Sequence, residues 1–214
     1  LSVVFRDFAE AVKDEGTDIV IGVERNKGYT STFTTRIYKE GIGKDEENYR
    51  YIERLAKSML WIYGGYKIIV AGSKLIGDRL AKAYSAGGER EFDYKFMERV
   101  YEKPFEVIYV ENVADAPKEY AVSAPVGRHL DGCRIGFDAG GSDRKVSAVI
   151  DGEVVYSEEV VWHPKVNPDP TYQYEGILDS FRTAASKMPR VDGIGVSSAG
   201  VFIGNAPMIS SILY

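Results

Sequence analysis

CRIGFDAGGSDRKVSAVIDGEVVYSEEVVW, residues 133 to 162, is the stretch around which the chain is organised. It alternates as a strand, with Ile135 and Phe137 to one side and Gly136 and Asp138 to the other. It turns at Ala139-Gly140-Gly141-Ser142 and returns along residues 145 to 150. Asp151-Gly152 then closes a second hairpin, because this dipeptide suits the positive φ angles of a type I′ turn. Residues 153 to 162 form the third strand.

A strand that ends in a carboxylate and enters a Gly-Gly turn has a chemical use. With no Cβ at Gly140 and Gly141, the backbone can approach a ligand closely and aim its N–H groups at phosphate oxygens. Asp138 then stands where it would face a hydrated Mg²⁺. The plain alternative is a tight hairpin whose Asp caps its own turn. A motif this short is compatible with both.

The continuation narrows the choice. Asp169-Pro170 reads as an N-cap followed by proline at the first helical position. Ile177, Leu178, Phe181, Ala184, Ala185 and Met188 then recur at three and four, giving an amphipathic helix stopped by Pro189. VDGIGVSS, residues 191 to 198, is a short strand that runs into Ala199-Gly200. The order is three hairpin-linked strands, a helix, and a strand ending in a small-residue loop.

That order, with these residues in it, resembles the first half of the nucleotide-binding lobe of the actin-like ATPases, and more narrowly the ROK family of repressors and sugar kinases. GFDAGGSDRK is similar to that family's first phosphate motif, Gly-x-Asp-x-Gly-Gly-Thr, with Ser142 in place of Thr. GIGVSSAGVFIGN, residues 193 to 205, is similar to the segment Gly-Ile-Gly-x-Pro-Gly-x-x-Asp that lies beside the sugar. Ala199 stands where the family commonly has proline, and Gly204 stands near its usual Asp.

The resemblance implies an α/β fold: a ribonuclease H-like (actin-like ATPase) half-lobe with a mixed sheet. It implies ATP and Mg²⁺ as cofactors, with Asp138, Gly140, Gly141, Ser142 and Arg144 on the phosphates and Asp138 holding the metal through water. Ser198 and Gly200 fall on the sugar side. Either Arg144 or Lys145 could face the phosphates, but strand alternation allows only one of these neighbours to do so. The family's catalytic Asp, its sugar-binding residues, its zinc motif and its second phosphate motif normally lie beyond the position of Tyr214. The expectation is the N-terminal portion of a sugar kinase, with no catalytic residue in this stretch. Other actin-like ATPases, such as an acyl-CoA dehydratase activator, or a scaffold without activity, are the alternatives. A sugar-responsive repressor fits less well, since such proteins begin with a basic winged helix.

Composition sets the outer bounds. In 214 residues, 44% hydrophobic and 28% charged, there is enough apolar material for a sizeable core. A net charge of −5, with no basic block, argues against nucleic acid or an anionic membrane as partner. No apolar run reaches the roughly 18 residues needed to span a bilayer. The single cysteine, Cys133, points to a reducing compartment such as the cytoplasm. With His129 it makes two possible ligands without a third, hence no zinc site. The partners expected are a small sugar and a nucleotide, with a homodimer through an exposed apolar face as a further option.

Residues 1 to 112 read as αββαβααβ, a small α/β segment of their own. Phe5, Phe8, Ala9 and Val12 share a helical face, and Gly16 is positioned as a left-handed C-terminal cap. Two strands joined across Asn26-Lys27-Gly28 follow, then a helix ended by Gly64-Gly65. Residues 66 to 110 read strand, Ala-Gly-Ser, helix, helix, strand, with Ser73 a reasonable N-cap. The same order is similar to the end of the ROK fold, where a small-residue loop contacts adenosine, so Gly72 and Ser73 are nucleotide candidates through a circular permutation. The plainer reading is an ordinary βα turn with a Ser cap, which any α/β domain needs. Residues 113 to 130, with prolines, alanines and no periodicity, are the linker candidate, leaving residues 131 to 214 for the lobe.

Overall fold

The structure is a computed structural model that describes residues 2–122, 127, 129–210 and 212. The chain divides into two compact units, Leu1–Ala124 and Pro125–Tyr214.

The first unit follows the order read from the sequence: α1 (Ser2–Ala11), β1 (Thr17–Glu24), β2 (Thr30–Ile37), α2 (Asp45–Tyr63), β3 (Lys67–Ala71), α3 (Lys74–Ala83), α4 (Glu91–Tyr101) and β4 (Glu106–Val110). The sheet order is β2-β1-β3-β4; β1 is antiparallel to both neighbours and β3 is parallel to β4. The hairpin of β1 and β2 closes through Lys27 and Gly28, both at positive φ. Ile19, Ile21 and Val23 of β1 point to one face, where they meet Ile52, Ala56 and Leu60 of α2, all fully buried. The apolar stripe read on α2 is therefore core.

Two expectations for this unit need correction. Gly16 is not a left-handed cap; a Cβ there would sit 2.8 Å from the Ile37 carbonyl oxygen, so glycine is required for close approach and not for its backbone angle. The expected linker is not linker throughout. Tyr120 and Thr30 exchange backbone hydrogen bonds at 2.8 and 2.9 Å, so the chain up to that point is attached to the first unit. Residues 123–126 and 128 of that segment lie outside the described residues.

The second unit contains β5 (Cys133–Ala139), β6 (Asp143–Ile150), β7 (Glu153–Val161), α5 (Pro170–Ala185), β8 (Gly193–Ser198), β9 (Val201–Ile203) and β10 (Ala206–Ile209). The sheet order is β7-β6-β5-β8, with β5, β6 and β7 antiparallel and β8 parallel to β5. A parallel return requires a crossover, and α5 supplies it. This is a mixed α/β unit with the element order that the sequence implied. At the β6–β7 turn Asp151 and Gly152 have φ of 49° and 89°, the type I′ signature. Residues 199 to 209 depart from the expected plain loop: β9 and β10 form a separate hairpin across Gly204-Asn205, whose φ angles are 59° and 66°.

Ile135, Phe137 and Ala139 of β5 and Val146 and Ala148 of β6 form the buried face under α5. Phe181 of α5 meets Phe137 edge to face at 5.2 Å between ring centres. The helix starts as read: the Asp169 side chain accepts from the Thr171 N–H, and Pro170 occupies the first position. α5 covers β5 and β6 but not β8. Ile194 and Val196 share the apolar face with Ile135 and Phe137, yet remain 48% and 62% exposed. No helix among the described residues is long and apolar enough to cross a membrane.

Candidate phosphate-binding site

Strand alternation fixes the site. Since Ile135, Phe137 and Ala139 point at α5, Gly136 and Asp138 must point to the opposite face. Asp138 is paired there with Lys145 across the antiparallel ladder and with Ser197 across the parallel one. Ser197 Oγ donates to Asp138 Oδ1. Gly136, Ser147, Ser157 and Gly195 have small side chains or none, so the sheet here is the floor of an open basin of about 500 Å³ rimmed by Asp138, Lys145 and Ser197.

The Gly-Gly turn is tightly tied. Gly140 N–H donates to the Asp143 carbonyl at 3.0 Å. Trp162, 3% exposed, donates its indole Nε1–H to the Gly140 carbonyl at 2.8 Å and its backbone N–H to the Ser142 carbonyl at 3.1 Å. The turn's N–H groups at Gly141 and Ser142 have no such partner among the described residues. Both glycines serve close approach, since neither has a positive φ. A Cβ on Gly140 would lie 2.6 Å from the Asp143 carbonyl oxygen, and one on Gly141 would lie 2.8 Å from Lys165 Nζ.

The charges are arranged in pairs. Ser142 Oγ and Lys145 Nζ donate to the two carboxylate oxygens of Asp143, at 3.0 and 2.8 Å. The Lys145 contact, with help from Ser142, holds the Asp143 carboxyl below its ordinary range. The same contact, reinforced by the charges of Glu159 and Asp138, raises the Lys145 ammonium.

The sequence candidates separate into three places. Asp138, Gly140, Gly141 and Ser142 are brought together at the end of the β5–β6 hairpin. Arg144 is not with them: alternation turns it to the α5 side, where it is 9% exposed. There its guanidinium donates to the Gly176 carbonyl, to Ser180 Oγ at 2.7 Å and to Asp179 at 2.9 Å. Of the two neighbours, Lys145 is the one on the Asp138 face. Ser198 likewise turns away from Ser197, and its hydroxyl is buried without a hydrogen-bond partner. Gly200 has φ of 146° and lies against β10, where a Cβ would be 3.3 Å from Ser210 Cα. Gly72 and Ser73 belong to the first unit. Ser73 Oγ accepts from Ile76 N–H as a helix cap and donates to Glu40. Gly72 has φ of 100° and no room for a Cβ, with the Asp18 carbonyl oxygen 2.8 Å away.

Ser197, Asp143 and Lys165, which lie close to Asp138 and the Gly-Gly turn, were not singled out by the sequence. Ser197 could have been found by the register argument that places it level with Asp138. Lys165 comes from a single 3-10 turn, Pro164–Val166, that carries no periodic signal.

A larger hollow of about 570 Å³ lies on the α5 side of the same unit. It presents the carboxylates of Asp169, Glu175 and Asp179, and its one cation, Arg144, already pairs with Asp179. Such a lining repels a phosphate, so the smaller basin is the better candidate.

No group of three or more His, Cys, Asp or Glu side chains that could hold a metal occurs among the described residues. The donor set suits Mg²⁺ all the same, because this ion commonly keeps several waters and takes one or two carboxylates plus phosphate oxygens. Asp138 supplies one carboxylate oxygen that Ser197 does not use.

Comparison with protein-family models finds no match, and no curated protein matches the chain. Among solved structures, an exopolyphosphatase from Cytophaga hutchinsonii is similar at 14% identity and a TM-score of 0.26, over 85% of this chain and 64% of that one. The chain thus spans less than two thirds of the length of that protein.

Proposed function

We propose that the β5–β6 hairpin is the first phosphate site of an actin-like ATP-dependent phosphotransferase of the ROK sugar kinase type, of which this chain supplies the N-terminal portion. One observation carries the reading. Asp138 ends the central strand beside a Gly-Gly turn and faces an open basin with a small-residue floor, so a phosphate chain can lie on the sheet without a side-chain clash.

In this reading the chain's residues bind and orient. The N–H groups of Gly141 and Ser142 hold phosphate oxygens, as a backbone concavity does elsewhere. Asp138, oriented by Ser197, holds a hydrated Mg²⁺; when bound, the ion neutralises charge on the phosphate oxygens. Ser198, whose hydroxyl is buried, ends β8 and Gly200 follows it; this reading puts the sugar beside their backbone. Ser73 serves as a helix cap in the first unit.

The test is a thermal-shift titration of the 214-residue chain with Mg²⁺-ATP, repeated on Asp138→Ala, because a ligand that binds the native state raises its apparent stability. A nucleotide-dependent rise lost in the variant is the expected result. No rise at millimolar nucleotide, or an equal rise in both proteins, overturns the assignment.

A further inference from the structure

We infer that Trp162 is the positioning residue of this turn: by holding the Gly140 carbonyl, it turns the Gly141 N–H toward the bound phosphate. The inference rests on the phosphate-site reading and adds to it the side chain that gives the turn's donor its direction.

One peptide unit carries both groups. The carbonyl of Gly140 and the N–H of Gly141 belong to the same planar trans unit, in which they point in opposite directions. Trp162 Nε1–H donates to that carbonyl at 2.8 Å. The indole is 3% exposed and lies in the cluster of Ile135, Phe137 and Ala184 beneath α5. The carbonyl is therefore turned to the α5 side, and the Gly141 N–H to the face of the sheet that carries Asp138. That N–H has no backbone partner among the described residues. An indole N–H donates and cannot accept, so the flipped peptide, which would set two donors face to face, is rejected. Two glycines in a row have no Cβ to limit their backbone angles, so the peptide plane between them depends on such an outside contact.

The backbone and the ring of Trp162 are both held. Its own N–H donates to the Ser142 carbonyl at 3.1 Å, one step past the Asp143–Val161 pair of the β6–β7 ladder. The next N–H, of His163, donates to the Tyr172 hydroxyl of α5 at 3.0 Å. α5 also lies close against the ring, because residue 176 is glycine: a Cβ there would be 3.2 and 3.4 Å from Trp162 Cε3 and Cζ3. The direction of the turn's free donor is thus set by the packing of the helix. Preorganised donors of this kind bind a phosphate without first having to be ordered, and that is the contribution Trp162 makes.

The experiment is a calorimetric titration of the whole chain with Mg²⁺-ATP and, separately, with Mg²⁺-tripolyphosphate, for the wild type, Asp138→Ala, Trp162→Phe and a protein carrying benzothienylalanine at position 162. Benzothienylalanine replaces the indole N–H by sulfur and keeps its size and shape, so the core stays filled; circular dichroism checks each fold. Both proteins altered at Trp162 are expected to bind both probes about fivefold more weakly, the effect of one hydrogen bond. The factor should be the same for the two probes, since the turn meets phosphate and not adenosine. Fluorescence adds a readout that a merely structural role would not move. The chain has two tryptophans, so in Trp61→Phe the emission comes from Trp162 alone. Mg²⁺-tripolyphosphate should change that emission with the calorimetric midpoint, and Asp138→Ala should abolish the change. Affinity of the benzothienylalanine protein within about twofold of wild type, with binding lost in Asp138→Ala, overturns the role of Trp162 and leaves the phosphate-site reading standing. A loss confined to Mg²⁺-ATP, or an emission that saturating tripolyphosphate leaves unchanged, overturns it equally. Absence of binding by the wild type overturns that reading and Trp162 with it.

Discussion

Ser197 Oγ donates to Asp138 Oδ1 across the parallel β5–β8 pair, so the carboxylate at the end of the central strand is oriented by a strand that arrives only after the α5 crossover. Asp138 is thereby tied to β8 as well as to its own hairpin. Removing that hydroxyl frees the carboxylate to rotate. Ser197→Ala is expected to weaken Mg²⁺-ATP binding by about fivefold, in line with a net hydrogen bond of about 1 kcal/mol. Its thermal midpoint without ligand should stay at the wild-type value, because Ser197 is exposed. Calorimetry and a melting curve check the two parts.

Arg144 is expected to matter for stability and not for ligand. Its guanidinium joins β6 to α5 through the Gly176 carbonyl and the buried Ser180 hydroxyl. The ion pair with Asp179 adds little, since Asp179 is largely exposed. Arg144→Met leaves the carbonyl and the hydroxyl without their donor, at a cost of about 2–3 kcal/mol by the usual penalty for unsatisfied buried groups. Urea unfolding measures it; Asp179→Ala should cost about 1 kcal/mol or less.

Ser73 separates a cap from a nucleotide ligand. Ser73→Ala should destabilise the first unit by about 1 kcal/mol through loss of the α3 cap, and the donor to Glu40 goes with it. The Mg²⁺-ATP affinity should stay unchanged. A drop in affinity with unchanged stability would instead place Ser73 beside the adenosine.

Acid should loosen the start of β8. Asp192 is held below the ordinary carboxylate range, first by the hydrogen bond from Arg190 and then by the Cys133 backbone N–H at 2.8 Å. A carboxyl whose folded value lies below its unfolded value stabilises the fold fully above about pH 5, and that contribution is lost as pH falls through the folded value. The urea midpoints of wild type and Asp192→Asn should therefore differ at neutral pH and converge as pH falls through the folded value of Asp192. Curves that run parallel from neutral pH through the whole acid limb would rule out this linkage.

The element order was legible because each signal was local. Asp151-Gly152 takes a type I′ turn with no help from the rest of the fold, and Asp169-Pro170 starts a helix wherever it stands. What stayed illegible depended on sidedness or on distant neighbours. Alternation showed that Arg144 and Lys145 face opposite ways, but which one faces the core is set by where α5 packs. The reason for glycine at 16 was misread because the requirement comes from Ile37, which sequence does not place beside it. Gly204-Asn205 was different, a hairpin signal present in the sequence and left unused beside the small-residue run before it.

β8 is an edge strand, and residues 193 to 198, GIGVSS, contain no charge and no proline. Natural edges are usually blunted by a lysine, a proline or a bulge, and this one relies on none of them. With Ile194 and Val196 uncovered beside its open ladder, the strand offers both backbone bonding groups and apolar area to any second strand that meets it. Self-association through this edge should rise with concentration, and Val196→Lys should suppress it.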